Sequence, residues 1–162
     1  MASSGVARSR VYLKRMAHDV KNMMQEGVEF DVVDENSTDG CTIRAWVRGP
    51  DDSPYSGHKF EIRILLVNEW PFKSPSVAFV TKVLHPNVEW ASGAICCNQL
   101  NEEYTSATRL ATIVNVILPQ LLAYPNPDDP FNTEAASEYV KNHQAYTHKV
   151  RNLVLEHAIP CS

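Results

Sequence analysis

Between Val28 and Val67 the chain alternates apolar and polar residues three times, and turn-forming residues break each run. Val28, Phe30 and Val32 alternate with Glu29 and Asp31 in the run ending at Asp34. Ile43, Ala45 and Val47 do the same in Thr42–Arg48, and Phe60, Ile62, Ile64 and Leu66 in Lys59–Val67. A period of two puts each set on one face of a strand. The first link contains Asp39-Gly40, a strong hairpin signal. The second, from Gly49 to Gly57, holds two prolines and two aspartates and reads as a loop. Trp70-Pro71-Phe72-Lys73-Ser74-Pro75 can be neither helix nor central strand, and Val77–Val80 is a short fourth strand. Strands joined by short links imply an antiparallel meander.

Helical periodicity flanks the strands. Met1 to Gly5 reads as a frayed end. From about Val6 to Gln25, Leu13, Met16, Ala17, Val20, Met23 and Met24 recur at spacings of three and four. Lys14, Arg15, His18 and Lys21 fall mostly on the opposite side, and Gly27 is the expected stop. Leu110, Ile113, Val114, Ile117, Leu118, Leu121 and Leu122 form a wide apolar stripe, which marks a central core helix. Thr105 or Ser106 is its expected cap, and Pro119 should bend it. Pro125-Asn126-Pro127-Asp128-Asp129-Pro130 reads as a stiff acidic loop. Asn132 should cap a short helix from about Thr133 to Lys141. A last helix runs from about Gln144 to His157, with Tyr146, Val150, Leu153 and Val154 inward and Pro160 beyond its end. The expected fold is α+β: a helix, a four-stranded antiparallel meander, then helices, within one domain over 1–162.

The net charge of −4 argues against nucleic acid as the main partner. Five basic residues and a single acid, Asp19, lie between Arg8 and Lys21, and suggest a docking face for an acidic partner. The four cysteines, Cys41, Cys96, Cys97 and Cys161, include an adjacent pair and no CxxC, so neither a disulfide frame nor a metal site is expected. The sequence shows no run long enough to span a bilayer and no apolar leader at Met1, so no membrane partner is expected. A reducing compartment, the cytoplasm or the nucleus, follows as an expectation.

In such a compartment a functional cysteine reads as a nucleophile. His85-Pro86-Asn87 forms a turn, Ser92-Gly93 supplies a second, and the chain doubles back to bring Cys96 within reach of Asn87. A thiol facing an amide donor is a minimal kit for acyl transfer, a nucleophile plus a stabiliser of the oxyanion. Neighbours in an extended segment point to opposite faces, so Cys96 and Cys97 cannot both face a cleft. The position of His85 before Pro86 suggests a structural hydrogen bond rather than a Cys–His pair.

Five markers in this order carry a resemblance: Gly49-Pro50 with Pro54-Tyr55-Ser56-Gly57, Pro71-Phe72-Lys73-Ser74-Pro75, His85-Pro86-Asn87, Gly93-Ala94-Ile95-Cys96, and Pro125-Asn126-Pro127-Asp128-Asp129-Pro130. From about Arg10 to Ala158 the chain resembles the ubiquitin-conjugating enzymes. The cysteine stands nine positions after the motif Asn. That spacing, with Leu118-Pro119-Gln120-Leu121-Leu122-Ala123-Tyr124-Pro125-Asn126-Pro127, looks like the H-type branch. Members of that branch are linked to core-histone ubiquitylation and to the multisubunit ligase that degrades gluconeogenic enzymes. Tyr104 stands where most members have Trp, and Cys97 where they have Leu. The branch commonly ends in a long acidic tail and this sequence stops at Ser162, which weakens the histone link.

The resemblance implies that Cys96 takes ubiquitin from the activating enzyme by thioester exchange, without a cofactor or bound ATP, and passes it to a substrate lysine with a ubiquitin ligase. Asn87 would stabilise the oxyanion or hold the neighbouring loop in shape, and both roles stand open. Asp129 would orient the incoming lysine and ease its deprotonation. Lys14 and Arg15 match the surface where family members meet the activating enzyme and the ligase. Phe72, Ser106 and Ala107 match the ligase-docking loops. Two rivals are a ubiquitin-binding variant, which would lack the cysteine, and a thiol hydrolase, which would need a His and an Asn or Asp arranged around it.

Overall fold

The computed structural model describes residues 7–161. The expected fraying of Met1–Gly5 and the helix start at Val6 lie outside them. The first helix runs over Arg10–Gln25, later than the periodicity suggests, because Ser9 caps it by accepting the Tyr12 N–H at 3.1 Å. It ends as expected. Gly27 takes a left-handed φ of 72°, its N–H donates to Met24, and the Val28 N–H donates to Met23.

Its buried face is the expected one only in part: Met23 is buried and Met16 and Val20 pack against the core, but the face is rotated. Leu13 and Met24 are exposed, while Tyr12, Asp19, Asn22 and Met23 are buried. Two polar groups account for the rotation, since each finds partners in the interior. The Tyr12 hydroxyl donates to the Leu66 carbonyl at 2.6 Å and accepts the Cys41 N–H at 3.0 Å. The Asp19 carboxylate accepts from Arg15 Nε at 2.9 Å and from the Leu110 N–H at 3.1 Å. A buried polar group is tolerated when its bonds are made.

The sheet follows the sequence closely. β1 (Glu29–Asp34), β2 (Gly40–Arg48), β3 (His58–Val67) and β4 (Ser76–Phe79) pair antiparallel in sequence order. Ile43, Ala45 and Val47 of β2, with Phe60, Ile62, Ile64 and Leu66 of β3, are fully buried on one face. Arg44, Trp46 and Glu61 lie on the other, where Arg44 stacks over Trp46. A fifth strand, Ile159–Pro160, pairs with the start of β3 and was not expected. At two residues it is too short to produce an alternation.

The inner face is covered by the helix of residues 110–123 and by the last helix, His143–His157, through Tyr146, Val150 and Val154. The 110–123 helix carries the expected stripe but not the expected cap. Arg109 stands at its N-cap without a side-chain bond, and buried Asp19 takes the Leu110 N–H instead. Pro119 is accommodated by a change of pitch. Ile113–Ile117 forms a wider π turn just before Leu118–Ala123. The wider turn takes the residues ahead of Pro119 out of the i−4 ladder, where the ring would meet the Asn115 carbonyl. Asn132 caps Thr133–Lys141 as expected, accepting the Ala135 N–H at 3.0 Å.

Candidate active site

Past β4 the backbone turns back through Leu84–Ala94. Tyr55 supports this segment from below: its hydroxyl donates to the Leu84 carbonyl at 2.6 Å and meets the Tyr146 hydroxyl at 3.1 Å. Gly93 closes the turn at a φ of 75°, and a side chain there would overlap the Phe79 carbonyl. Its own carbonyl accepts the Phe79 N–H at 2.8 Å and ties the turn to β4, while its N–H closes the turn on the Glu89 carbonyl at 2.9 Å.

His85 is fully buried. Its Nδ1 accepts the Asn87 N–H at 3.0 Å, which leaves the ring proton on Nε2, donated to the Leu121 carbonyl at 2.7 Å. Burial pushes its pKa down to about 4, and the Leu121 bond opposes this only partly. Both nitrogens are spent on structure, as the Pro86 context suggested. The ring pins the turn to the 110–123 helix.

Asn87 is 1% exposed. Its Nδ2 donates to the Asn126 carbonyl at 2.8 Å and to the Asp129 carbonyl at 3.2 Å, while Oδ1 accepts the Asn126 N–H at 2.8 Å. Both amide hydrogens are therefore committed to the 125–130 loop. Of the two roles left open, the geometry serves the holding of that loop. The Pro86 carbonyl adds to it by accepting from Phe131 at 2.9 Å and Asn132 at 3.0 Å.

The Asn87 carbonyl accepts the Cys96 N–H at 3.0 Å, and Val88 bridges Ile95. This short extended pairing sets the direction of both cysteines. Cys96 is half-buried and Cys97 is 7% exposed, the alternation expected of neighbours. Burial raises the Cys97 thiol pKa, and that of Cys41 to about 11. Cys96 shares one cleft with Gln99, Glu103, Gln120, Tyr124 and Asp129. Asp129 is exposed on the rim, and its backbone, not its carboxylate, is what Asn87 holds.

One residue beside the sulfur had no signal in the sequence. Asn101 Nδ2 lies 3.8 Å from Cys96 Sγ, within donor reach of a sulfur. A 3₁₀ turn, Asn98–Leu100, folds the chain back far enough to return it there, anchored by buried Leu100.

A second surface lies away from the cleft. Lys14, Phe72, Ser106 and Ala107 line one groove and are exposed, Phe72 at 72%. Arg15 lines the same groove but is not a free charge. It pairs with buried Asp19, its guanidinium donates to the Ser106 and Thr108 carbonyls, and it stacks 5.6 Å over Trp70. Tyr104 joins the other wall by donating to the Pro71 carbonyl at 2.7 Å. Arg15 thus builds the groove that Lys14 and Phe72 border.

The sequence matches the family model for ubiquitin-conjugating enzymes over residues 12–154. Among similar proteins, ubiquitin-conjugating enzyme E2 6 of Arabidopsis thaliana is 39% identical over 147 residues, covering 91% of this chain and 79% of that protein. Ubiquitin-conjugating enzyme E2 K of Homo sapiens is 32% identical over 151 residues, covering 93% of this chain and 73% of that one. The fold superposes on a ubiquitin-conjugating enzyme E2 domain of Toxoplasma gondii with a TM-score of 0.81 at 28% identity, over 90% of this chain and 98% of that one. Sequence, fold and marker order agree, and the chain belongs to the ubiquitin-conjugating enzyme family.

Proposed function

We propose that Cys96 receives ubiquitin as a thioester from the activating enzyme and passes it to a substrate lysine with a ubiquitin ligase. The observation that carries this is the pairing of a half-exposed Cys96 with a buried neighbour, in a cleft rimmed by Asp129. Loading exchanges one thioester for another, so the step needs no cofactor. In discharge the amine attacks the thioester carbon, the C–N bond forms, the C–S bond breaks and the pair returns to sulfur. Asp129 takes part by orienting the ammonium and helping it shed its proton. Asn87 acts through the loop that carries Asp129.

Lys14, Phe72, Ser106 and Ala107 form the docking face for the ligase, and Lys14 also serves the activating enzyme. Arg15 contributes by fixing the shape of that face. The spacing from Asn87 to Cys96 and the segment around Pro119 support an H-type enzyme, with histone lysines as one substrate class to test. Free thiols at Cys41, Cys96, Cys97 and Cys161 suit the cytoplasm or nucleus. A thiol hydrolase finds no support in His85, whose ring is buried and tied to Leu121.

The test is a non-reducing gel after incubation with activating enzyme, ubiquitin and ATP. A thiol-sensitive shift of one ubiquitin is expected for the native protein and for Cys97→Ser. Cys96→Ser should give a thiol-resistant oxyester. A shift retained and still thiol-sensitive in Cys96→Ser would refute the assignment.

A further inference from the structure

The family's motif amide does not point at the reacting sulfur in this chain. Both Asn87 hydrogens go to carbonyls of the 125–130 loop, and the residue is 1% exposed. The charge that appears on sulfur sits on a different atom from the oxyanion, and a donor beside the sulfur would stabilise it. Glu103 and Asp129 share the cleft, and two carboxylates there work against an anion. Among the described residues, the side-chain donor within reach of Cys96 Sγ is Asn101 Nδ2, at 3.8 Å.

We infer that Asn101 is a further catalytic residue, donating a hydrogen bond to Cys96 Sγ while the sulfur carries charge. This rests on the reading of Cys96 as the acylated residue. The carboxamide acts at two moments. Before loading, it stabilises the thiolate that attacks the activating enzyme's thioester. In discharge, the substrate amine forms its bond to the carbonyl carbon and loses a proton, the C–S bond breaks, and the leaving electron pair arrives on the same sulfur. Asn101 is suited to both, since it touches the sulfur rather than the carbonyl. It stands on the open side of the cleft, so it can adjust by the few tenths of an ångström that a charged acceptor draws in. The backbone holds its origin. The Asn101 N–H donates to the Asn98 carbonyl at 3.1 Å, and the Leu100 N–H to the Cys97 carbonyl at 3.2 Å.

Three variants separate electrostatics from shape: Asn101→Ala, Asn101→Asp and Asn101→Lys. The residue is exposed, so all three should fold, which thermal unfolding would verify. The first readout is the pH profile of iodoacetamide alkylation at Cys96, followed by peptide mass spectrometry without any ubiquitin present. The second is single-turnover discharge of the charged enzyme onto free lysine. Asn101→Ala should move the alkylation profile to higher pH and slow discharge by roughly five- to tenfold, the scale of one net hydrogen bond. Asn101→Asp, nearly the same shape with an added negative charge, should be worse in both. Asn101→Lys restores a donor and should return the alkylation profile toward the native one; its amine is itself an acyl acceptor, so this variant is read by alkylation alone. Native-like profiles in the Ala and Asp variants would overturn the inference, as would an Asp variant that behaves like the native protein while Ala does not. If the native protein cannot be charged at all, the reading of Cys96 fails, and the alkylation profile still decides the part played by Asn101.

Discussion

Acid offers a direct test of how His85 is used. The ring is enclosed and neutral, and its pKa is pushed from 6.5 down to about 4 by burial. Well above pH 6.5 the folded and unfolded chains both carry it uncharged, and its contribution to stability does not change with pH. As the pH falls below that value, the unfolded chain takes up a proton that the folded chain refuses, and stability is lost. The loss is complete once the pH passes the folded value of about 4, below which both states are protonated. The span from 6.5 to about 4 is worth about 3 kcal/mol, a large share of a domain's stability. Carboxylates titrate in the same range, so the comparison must be with a non-titrating ring substitute, His85→Gln. Urea unfolding followed by tryptophan fluorescence, in steps from pH 7 to pH 4, gives both curves. The native protein should lose about 3 kcal/mol more than the variant over that range. Parallel curves would show that His85 is not held neutral by the fold. Proton NMR of the native imidazole supplies a check free of substitution, since its resonances should not shift between pH 7 and pH 5.

Asn87→Ala should slow lysine discharge more than thioester loading in single-turnover assays, because it frees the loop that carries Asp129; equal losses in both steps would refute it. Asp19→Ala removes the cap of the 110–123 helix and the partner of Arg15, and should cost about 3–5 kcal/mol in denaturant unfolding. A loss under about 1 kcal/mol would mean that the carboxylate adds little. Gly93→Ala must hold a positive φ and push the Phe79 carbonyl aside, and a loss of at least about 2 kcal/mol is expected; an unchanged melting temperature would count against the turn described here. Brief iodoacetamide treatment at pH 8 should label Cys96 ahead of Cys97 and Cys41, whose thiols burial raises, with Cys41 at about 11; equal labelling by mass spectrometry would contradict their burial.

The parts of the fold visible in the sequence were those set by neighbours along the chain. Alternation marked β2 and β3 to within two residues, and Gly27 and Asn132 announced the helix ends they shape. The same period of two separated Cys96 from Cys97. What escaped was set by partners far along the chain. Asp19 looked like a lone acid on a basic helix, yet it caps Leu110, 91 residues away. Its burial, with that of Tyr12, turned the helix away from the face that Leu13 and Met24 marked. A hydroxyl and a carboxylate with interior partners outweighed two apolar side chains, which no count of hydrophobic spacing records. The cap expected at Thr105 or Ser106 failed for the same reason, since the helix starts at Leu110, whose N–H already has its acceptor in Asp19. Asn87 could be read as facing the cysteine or the loop, and only the carbonyls of Asn126 and Asp129, 39 and 42 residues on, decide between them. Asn101 belongs to no motif, and its place depends on how tightly the turn after Cys97 winds.

These contacts divide the site into a buried frame and an exposed working edge. His85 fastens the turn to the 110–123 helix at Leu121, and Asn87 fastens it to the 125–130 loop, so the two side chains flanking Pro86 fix the cleft against two separate elements. Each does so with its side-chain polar atoms satisfied, which makes the frame stiff and leaves these side chains nothing to offer a reactant. Cys96, Asn101 and Asp129, the groups to which the proposals assign chemistry, all have solvent access. Such a cleft suits acyl transfer between proteins. On the proposed reading, the incoming thioester and the incoming lysine would arrive on large partners that supply much of the shape of the site, and a pocket closed in advance would exclude them. The proposed chemistry would ask the enzyme to present a sulfur beside an acid on an open surface, and the His-Pro-Asn turn supports both from beneath, through the Cys96 N–H and the Asp129 carbonyl.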